Sequence, residues 1–486
     1  MLSNPIEILQ ACQRRIESHA SYNVERAAWY DAKQRVKSLD ISIPRDIDAR
    51  VETALGWPAL VVDALEERLN INGFATATAN REVEATLGRV WRDNDLDIEY
   101  SQAHLEALIH GVAFLCAQPG GDGDPAPTIT VESPATMTGI WDPVRRELSA
   151  AAAFVYDDEA WKYVAATVWD RETCWRLIHD NGWHVAEAYR HGLGRVPVRR
   201  LVNRARAGRR WGGSEITPSI IAATRSTVRA LTRVEVASEF FSAPELIALG
   251  LSREDFGGND FSTGYTRMMA AMMLVPDTDE PDYQRPDIKQ LPAASPTPIV
   301  ELIRMYSQIV AGEAALPPAY LGFETANPSS ADQIRAIEAR HVKRAERKQA
   351  VFGKAWIQIL GDGLELAGYS PGFTDGVTIN WADAATPTRA ATTDAIVKQV
   401  QAGVLPPTSP VTYEQLGYSP ATIDRLVADA RLNEAAQQAP QVMMSPIDAG
   451  DASATTAQTV SSPTGDSDPR ATHGRTTSRG GAIDPS

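Results

Sequence analysis

One segment constrains this chain more than any other: a proline-rich stretch followed by a long run of helix-forming residues, from Leu316 to Asp362. Pro317 and Pro318 end whatever precedes them, because proline lacks a backbone donor and restricts its predecessor. Ser329 or Ser330 supplies an N-cap, since a hydroxyl accepts from the free N–H groups of the first turn. A helix of about 33 residues from there spans about 50 Å. Its two faces differ. Ile334, Ile337, His341, Ala345, Phe352, Trp356 and Ile359 form one stripe at spacings of three, four or seven. Arg335, Arg340, Lys343, Arg347 and Lys354 lie on the other side. Asp332 and Glu346 can pair with Arg335 and Lys343 at a spacing of three, which leaves the helix basic.

That basic helix sits in an acidic protein. The chain has 486 residues, a net charge of −15 and 43% hydrophobic residues, enough for several domains with ample core. Such acidity argues against a protein that coats nucleic acid, because those binders carry an excess of Lys and Arg. It allows one past which nucleic acid slides. Cys12, Cys116 and Cys174 form neither a CxxC pair nor a metal pattern, so buried reduced thiols are expected. The first residues lack the features of a signal peptide, and no apolar run approaches the ~18 residues of a membrane span. A soluble protein of a cytoplasm is expected.

The order of elements predicts an α+β chain, mainly helical. Residues 5–40 read as two helices, and 57–70, 81–92 and 97–112 as three more. Phe114–Ala117 reads as a strand, and Gly120–Pro125 as a turn cluster. Thr128–Glu132, Ala151–Tyr156, Trp161–Trp169, Cys174–His179 and His184–Tyr189 then alternate as an antiparallel meander, with turns at Asp157–Glu159 and Asp180–Gly182. A basic linker follows, with Arg199, Arg200, Arg204, Arg206, Arg209 and Arg210. It fits either a structural connection or a phosphate or subunit contact. Thr217-Pro218 starts a helix that carries Ile220, Thr224, Thr227, Leu231 and Val234 on one face. Residues 241–297 read as irregular, with Met268, Met269, Met272 and Met273 clustered. A second helix follows Pro298, with Ile299, Leu302, Ile303, Tyr306, Ile309 and Val310 on one stripe. A shorter helical region covers 387–433, and a polar tail from 434 to 486 is expected to be disordered.

Catalytic signatures are missing. There is no GxxxxGK[ST], HExxH or GxSxG, and Gly353-Lys354 lacks the rest of a phosphate loop. Asp93, Asp95, Asp97 and Glu99 alternate like calcium ligands, but Ile98 stands where glycine is needed and His104 where a bidentate glutamate is needed. His179, His184 and His191 have no zinc spacing. No catalytic, metal or cofactor residues are therefore named.

Several strings, taken in order, resemble the portal proteins of tailed bacteriophages, above all those of siphophages that infect actinobacteria. The strongest is Pro328-Ser329-Ser330-Ala331-Asp332-Gln333-Ile334-Arg335-Ala336-Ile337-Glu338, followed by Lys343–Gln349 and Phe352-Gly353-Lys354-Ala355-Trp356. Supporting strings are Val61–Leu69 with Gly73-Phe74, Trp91–Asp97, Gly111–Phe114, Gly213-Ser214-Glu215-Ile216 and Ala243-Pro244-Glu245-Leu246. Trp29-Tyr30-Asp31-Ala32 departs from the family pattern of paired aromatics with a glycine, and Glu245 stands where glutamine is common.

The resemblance implies a ring, usually of twelve copies, at one vertex of the virion, assembled in the host cytoplasm. Double-stranded DNA would pass its channel during packaging and ejection. Its partners would be other copies of itself, a terminase packaging motor, a head–tail adaptor, and the major capsid and scaffold proteins. Residues 1–211 would form a wing, 212–240 a first stem helix, 241–297 a clip, 298–316 a second stem helix and 317–330 a tunnel loop. Residues 331–386 would form a channel helix and the return to the wing, and 387–433 a crown. Glu324, Thr325, Asn327, Ser329, Ser330, Arg335, Arg340, Lys343 and Arg347 would line the channel or tunnel loop. Arg204, Arg206, Arg209 and Arg210 would lie in the linker or an interface. The apolar stripe of the long helix would face the wing of its own or a neighbouring subunit and hold subunits in register. Two other classes remain open on the residues alone: another head–tail structural protein, and a nucleic-acid-processing enzyme.

Overall fold

The computed structural model describes residues 4–36, 52–76, 80–121, 123, 125–157, 159, 162–241, 246–249, 272–275, 287–290, 295–322, 331–385, 389–418 and 420–438. The chain divides into two units, Met1–Thr386 and Pro387–Ser486.

The first unit opens with α1, Pro5–Tyr30, a single helix over most of the span 5–40 expected to hold two; residues 37–40 lie outside the described residues. No glycine or proline interrupts residues 6–30, so nothing breaks the ladder. Asn4 caps it by accepting from the Ile6 N–H at 3.0 Å. Helices α2 (Trp57–Glu66), α3 (Arg81–Asp93) and α4 (Leu96–His110) follow, with β1 (Ile71–Thr76) between the first two. Asn80 caps α3 by accepting from Glu82 and Val83. The alternating acids fall at the corner between α3 and α4, where Asp95 adopts a left-handed φ of 51°.

Strands β2 (Val112–Gln118) and β3 (Thr128–Glu132) join β9 (Val198–Val202) in a sheet ordered β3-β2-β9, all antiparallel. The central β2 is buried along nearly its whole length, as its apolar run requires. Strands β4 (Met137–Asp142), β5 (Glu147–Asp157), β6 (Lys162–Trp169), β7 (Thr173–His179) and β8 (Trp183–Arg190) form the meander in chain order. Helix α1 covers one of its faces: Ile8, Leu9, Cys12 and Ile16 pack on Ala150, Ala152, Phe154, Val168 and Leu177. Thr128–Glu132 belongs to the other sheet, and β4 and β9 were not expected. The three cysteines are free and buried.

The basic linker is therefore partly a strand. Arg199 and Arg200 lie on β9, paired with Leu115 and Phe114. Beyond it the chain passes tightly over the end of α4. A Cβ on Gly111, which has φ +100°, would come within 2.7 Å of the Gly213 backbone, and Gly212 has φ +69° against the carbonyls of Asn203 and Gly111. Only glycine fits these positions.

Helix α5 (Pro218–Phe241) starts as expected, with the Ile220 N–H donating to Thr217 Oγ1 at 3.3 Å. Residues 241–297, expected to be irregular, contain three strands: β10 (Leu246–Leu249), β11 (Met272–Val275) and β12 (Asp287–Gln290), ordered β11-β10-β12. Each is only four residues long, too short for a periodicity to register. Helix α6 (Thr297–Ala314) packs on α5 and α2 through Ile303, Val310, Ala311 and Ala314 against Ile220, Ala223, Ala230, Trp57, Val61 and Ala64. Its expected single stripe is split, because Leu302 and Ile309 are exposed with Val300 and Met305.

Helix α7 (Ala331–Leu366) has 36 residues and spans about 54 Å. Ala345, Phe352, Trp356 and Ile359 on its apolar stripe are fully buried among the chain's own Val62, Leu65, Leu87, Trp91, Leu108 and Leu115. From His341 to Ile359 the stripe is thus core of the subunit itself, while the side chains of Ile334 and Ile337 lie outside the described residues. Strand β13 (Val377–Trp381) then returns to pair antiparallel with β1 across some 300 residues of chain.

The second unit holds α8 (Arg389–Gln401), α9 (Pro410–Gln415) and α10 (Pro420–Gln438). Helix α10 continues past residue 433 into the segment expected to be disordered, and the rest of that segment lies outside the described residues.

Candidate functional site: the long helix and its junctions

The cations of α7 divide into two sets. Arg340, Lys343 and Arg347 are exposed at spacings of three and four, hence on one stripe. Arg340 donates to the Gly312 carbonyl of α6 at 3.1 Å, and Lys343 and Arg347 have no partner among the described residues. The side chain of Arg335, and all of Glu324, Thr325, Asn327, Ser329 and Ser330, lie outside the described residues.

The second set, missed in the sequence, points inward. Arg344 and Lys348, one turn apart, converge on Glu215, which is 1% exposed. Arg344 Nη2 lies 2.5 Å from Glu215 Oε2 and Lys348 Nζ lies 3.2 Å from Oε1, with Arg204 at 3.6 Å. Arg344 also donates to the carbonyl of Ala314, the last residue of α6, and Lys348 donates to Asn203 Oδ1. The Glu215 N–H donates to Leu108 of α4 at 2.8 Å. Thr217 Oγ1 and Glu313 Oε1, 3.3 Å apart, link the start of α5 to the end of α6. Burial pushes the Glu215 carboxyl up, but Lys348, Arg344 and Arg204 outweigh it and hold it below the usual carboxylate range. Burial in turn lowers the Lys348 ammonium, which Glu215 partly offsets. The Glu215 backbone and carboxylate, Thr217 and Arg344 thereby tie α4, α5, α6 and α7 together at one junction.

Two further clamps fix α7. Buried Arg68 donates to the Ala384 carbonyl at 2.6 Å and lies 3.7 Å from Glu338. Near its C-terminal end, Asp362, 2% exposed, takes Arg195 and Arg199 at 2.6 Å each, and Glu365 takes Arg195 at 2.5 Å. Of the linker arginines named from sequence, Arg204 joins the Glu215 knot. Arg206 and Arg209 bridge each other across a tight hairpin, and Arg210 lies near the Trp141 ring. No group of three His, Cys, Asp or Glu among the described residues is placed to hold a metal. No helix among them is long and apolar enough to cross a membrane.

The site is thus a helix about 54 Å long, anchored by buried charge along one side and basic and exposed on another. The family model for the phage portal protein, SPP1 Gp6-like, matches residues 19–410. The chain belongs to this family of phage portal proteins. The portal protein of Mycobacterium phage L5 is 32% identical over 380 residues, covering 76% of this chain and 77% of that protein. The portal protein of Mycobacterium phage D29 is 31% identical over 381 residues, with the same coverage. A chain in the neck of an empty gene transfer agent particle aligns with TM-score 0.42 and 15% identity, over 77% of this chain and 90% of that one. The residues matched by the family model include α7 and the residues of the Glu215 knot.

Proposed function

We propose that the chain assembles into a ring that conducts double-stranded DNA at one vertex of a phage head, without catalysis of its own. The observation that carries this reading is the order of elements within the family match. Two packed helices, α5 and α6, bracket a small three-stranded module, and the long basic helix α7 follows. In this reading residues 1–211 and 363–386 form a wing, α5 and α6 the stem, residues 241–297 the clip, residues 317–330 the tunnel loop, and 387–433 the crown. Twelve copies close the ring, which meets the terminase motor and later a head–tail adaptor through the clip, within a shell of major capsid and scaffold proteins.

Two physical features support the reading. Net charge of −15 disfavours tight phosphate binding, so DNA can slide, while the exposed row Arg340, Lys343 and Arg347 can steer it. On α6, the exposed apolar residues Leu302, Met305 and Ile309 recur at spacings of three and four, an unfilled stripe suited to a neighbour. The test is charge reversal. Arg340→Glu, Lys343→Glu and Arg347→Glu together are expected to leave ring assembly intact and to cut DNA packaged in a reconstituted head by roughly tenfold. Normal packaging by this variant would remove the steering role.

A further inference from the structure

A second charged cluster has no counter-charge among the described residues. Arg15 sits with its Cζ 3.8 Å from the Trp211 ring, and Arg200 lies 4.7 Å from Trp211 and 4.2 Å from Trp141. Arg210 is 5.9 Å from Trp141. Arg209 folds back over Gly213, whose missing side chain makes the room. No carboxylate among the described residues lies within 4 Å of any of these four guanidiniums. At Asp362 and Glu215, by contrast, partly buried arginines are paired with carboxylates. Burial, and to a lesser degree Arg15 and Arg210, lower Arg200 to about 10.

The cluster borders a cavity of about 340 Å³ lined by Arg15, His19, Tyr22, His110, Arg209 and Trp211 among others. The His110 side chain is 7% exposed, and its Nδ1 has no partner. The nearby Glu106 is already engaged by Ser133 at 2.7 Å and by His110 at 3.6 Å. A guanidinium stacked flat on an indole leaves its edge free for a bidentate carboxylate.

The same helix that borders this cavity carries the opposite charge at its other end. His110 ends α4, and Asp93, Asp95 and Asp97 crowd the corner where α4 begins, about 21 Å away. These three aspartates are exposed, have no cation within 4 Å among the described residues, and flank Ile98, which is 63% exposed. A head-to-tail ring needs two unlike surfaces on each subunit. We propose that the pocket lined by Arg15 and Arg209, within the arginine cluster that also holds Arg210, receives the Asp93–Asp97 corner of a second copy of the chain, as one of the contacts that close the ring. This rests on the ring reading above. A cavity of this size accepts a few side chains of a loop and not a double helix, which favours a protein occupant over DNA.

Two variants test it. One carries Arg15→Glu, Arg209→Glu and Arg210→Glu; the other carries Asp93→Lys and Asp97→Lys. Assembly is followed by light scattering over a concentration series, with far-UV melting as the check on folding. Each variant alone is expected to need at least roughly tenfold more protein to assemble than the wild type. An equimolar mixture of the two, or one chain carrying all five substitutions, is expected to recover assembly. If the glutamate variant melts early, Arg15→Gln, Arg209→Gln and Arg210→Gln take its place, with the same direction expected. Rings formed by every variant as readily as by the wild type would overturn the pocket assignment and leave the ring reading standing. So would a glutamate variant that assembles normally but loses binding to a short DNA duplex. A wild type that never forms rings would overturn both.

Discussion

Glu215→Gln is expected to lower unfolding stability by about 3 kcal/mol, because removing one partner from a buried charge cluster strands the others. The residue is 1% exposed, and the change leaves Arg344, Lys348 and Arg204 facing one another around a neutral amide. The loss should appear in chemical denaturation, and Lys348→Met added to the same chain should recover part of it by removing one stranded charge. The pH dependence follows from the direction of the shift. The folded-state pKa of Glu215 lies below its ordinary value of 4.5. Its stabilisation is therefore fully present above about pH 4.5 and is lost as the pH falls through the lower, folded value. The wild type should lose more stability across that acid window than Glu215→Gln does. Equal acid limbs would show that the charge of Glu215 does not hold the junction.

The second large effect is expected at Trp356, whose ring is fully buried where α7 crosses the core. Its centroid lies 5.2 Å from that of Trp91 in a T-shaped contact, and its Nε1–H donates to His104 Nε2 at 3.1 Å. Complete burial pushes His104 down to about 3, so it stays neutral and remains an acceptor at any working pH. Trp356→Ala opens a cavity among Trp91, Phe352 and Trp381 and is expected to cost about 3–5 kcal/mol. Trp356→Phe keeps most of the packing but leaves His104 with neither ring nitrogen bonded, since its Nδ1 already lacks a partner. It should cost about 1–2 kcal/mol. Denaturation curves of the two variants check the order, and an alanine variant as stable as wild type would contradict the anchoring of α7.

What the sequence made legible was local and periodic. The meander could be read because its strands alternate and its turns carry the right residues, as at Asn181 and Gly182, both with positive φ. The stripe His341–Ile359 could be read as buried because seven-residue spacing keeps it on one side of a helix. The pairing of β1 with β13 could not, since Ile71–Thr76 is short, holds Gly73, and meets its partner some 300 residues later. Arg199 and Arg200 looked like linker because cations interrupt Val198–Val202, and only pairing with β2 makes it a strand. Arg344 and Lys348 resembled the other cations of a basic face. Their position at the margin of the stripe, next to His341 and Ala345, was the available signal, but their purpose depends on Glu215, which lies 129 residues from Arg344 in the chain.

The proposed function requires a closed ring with a channel. Negative-stain imaging of the purified protein, with light scattering on the same sample, tests it most directly. Closed rings of one size, with a central opening wide enough for duplex DNA, are the predicted result. A protein that stays monomeric at every concentration and salt tried would contradict it.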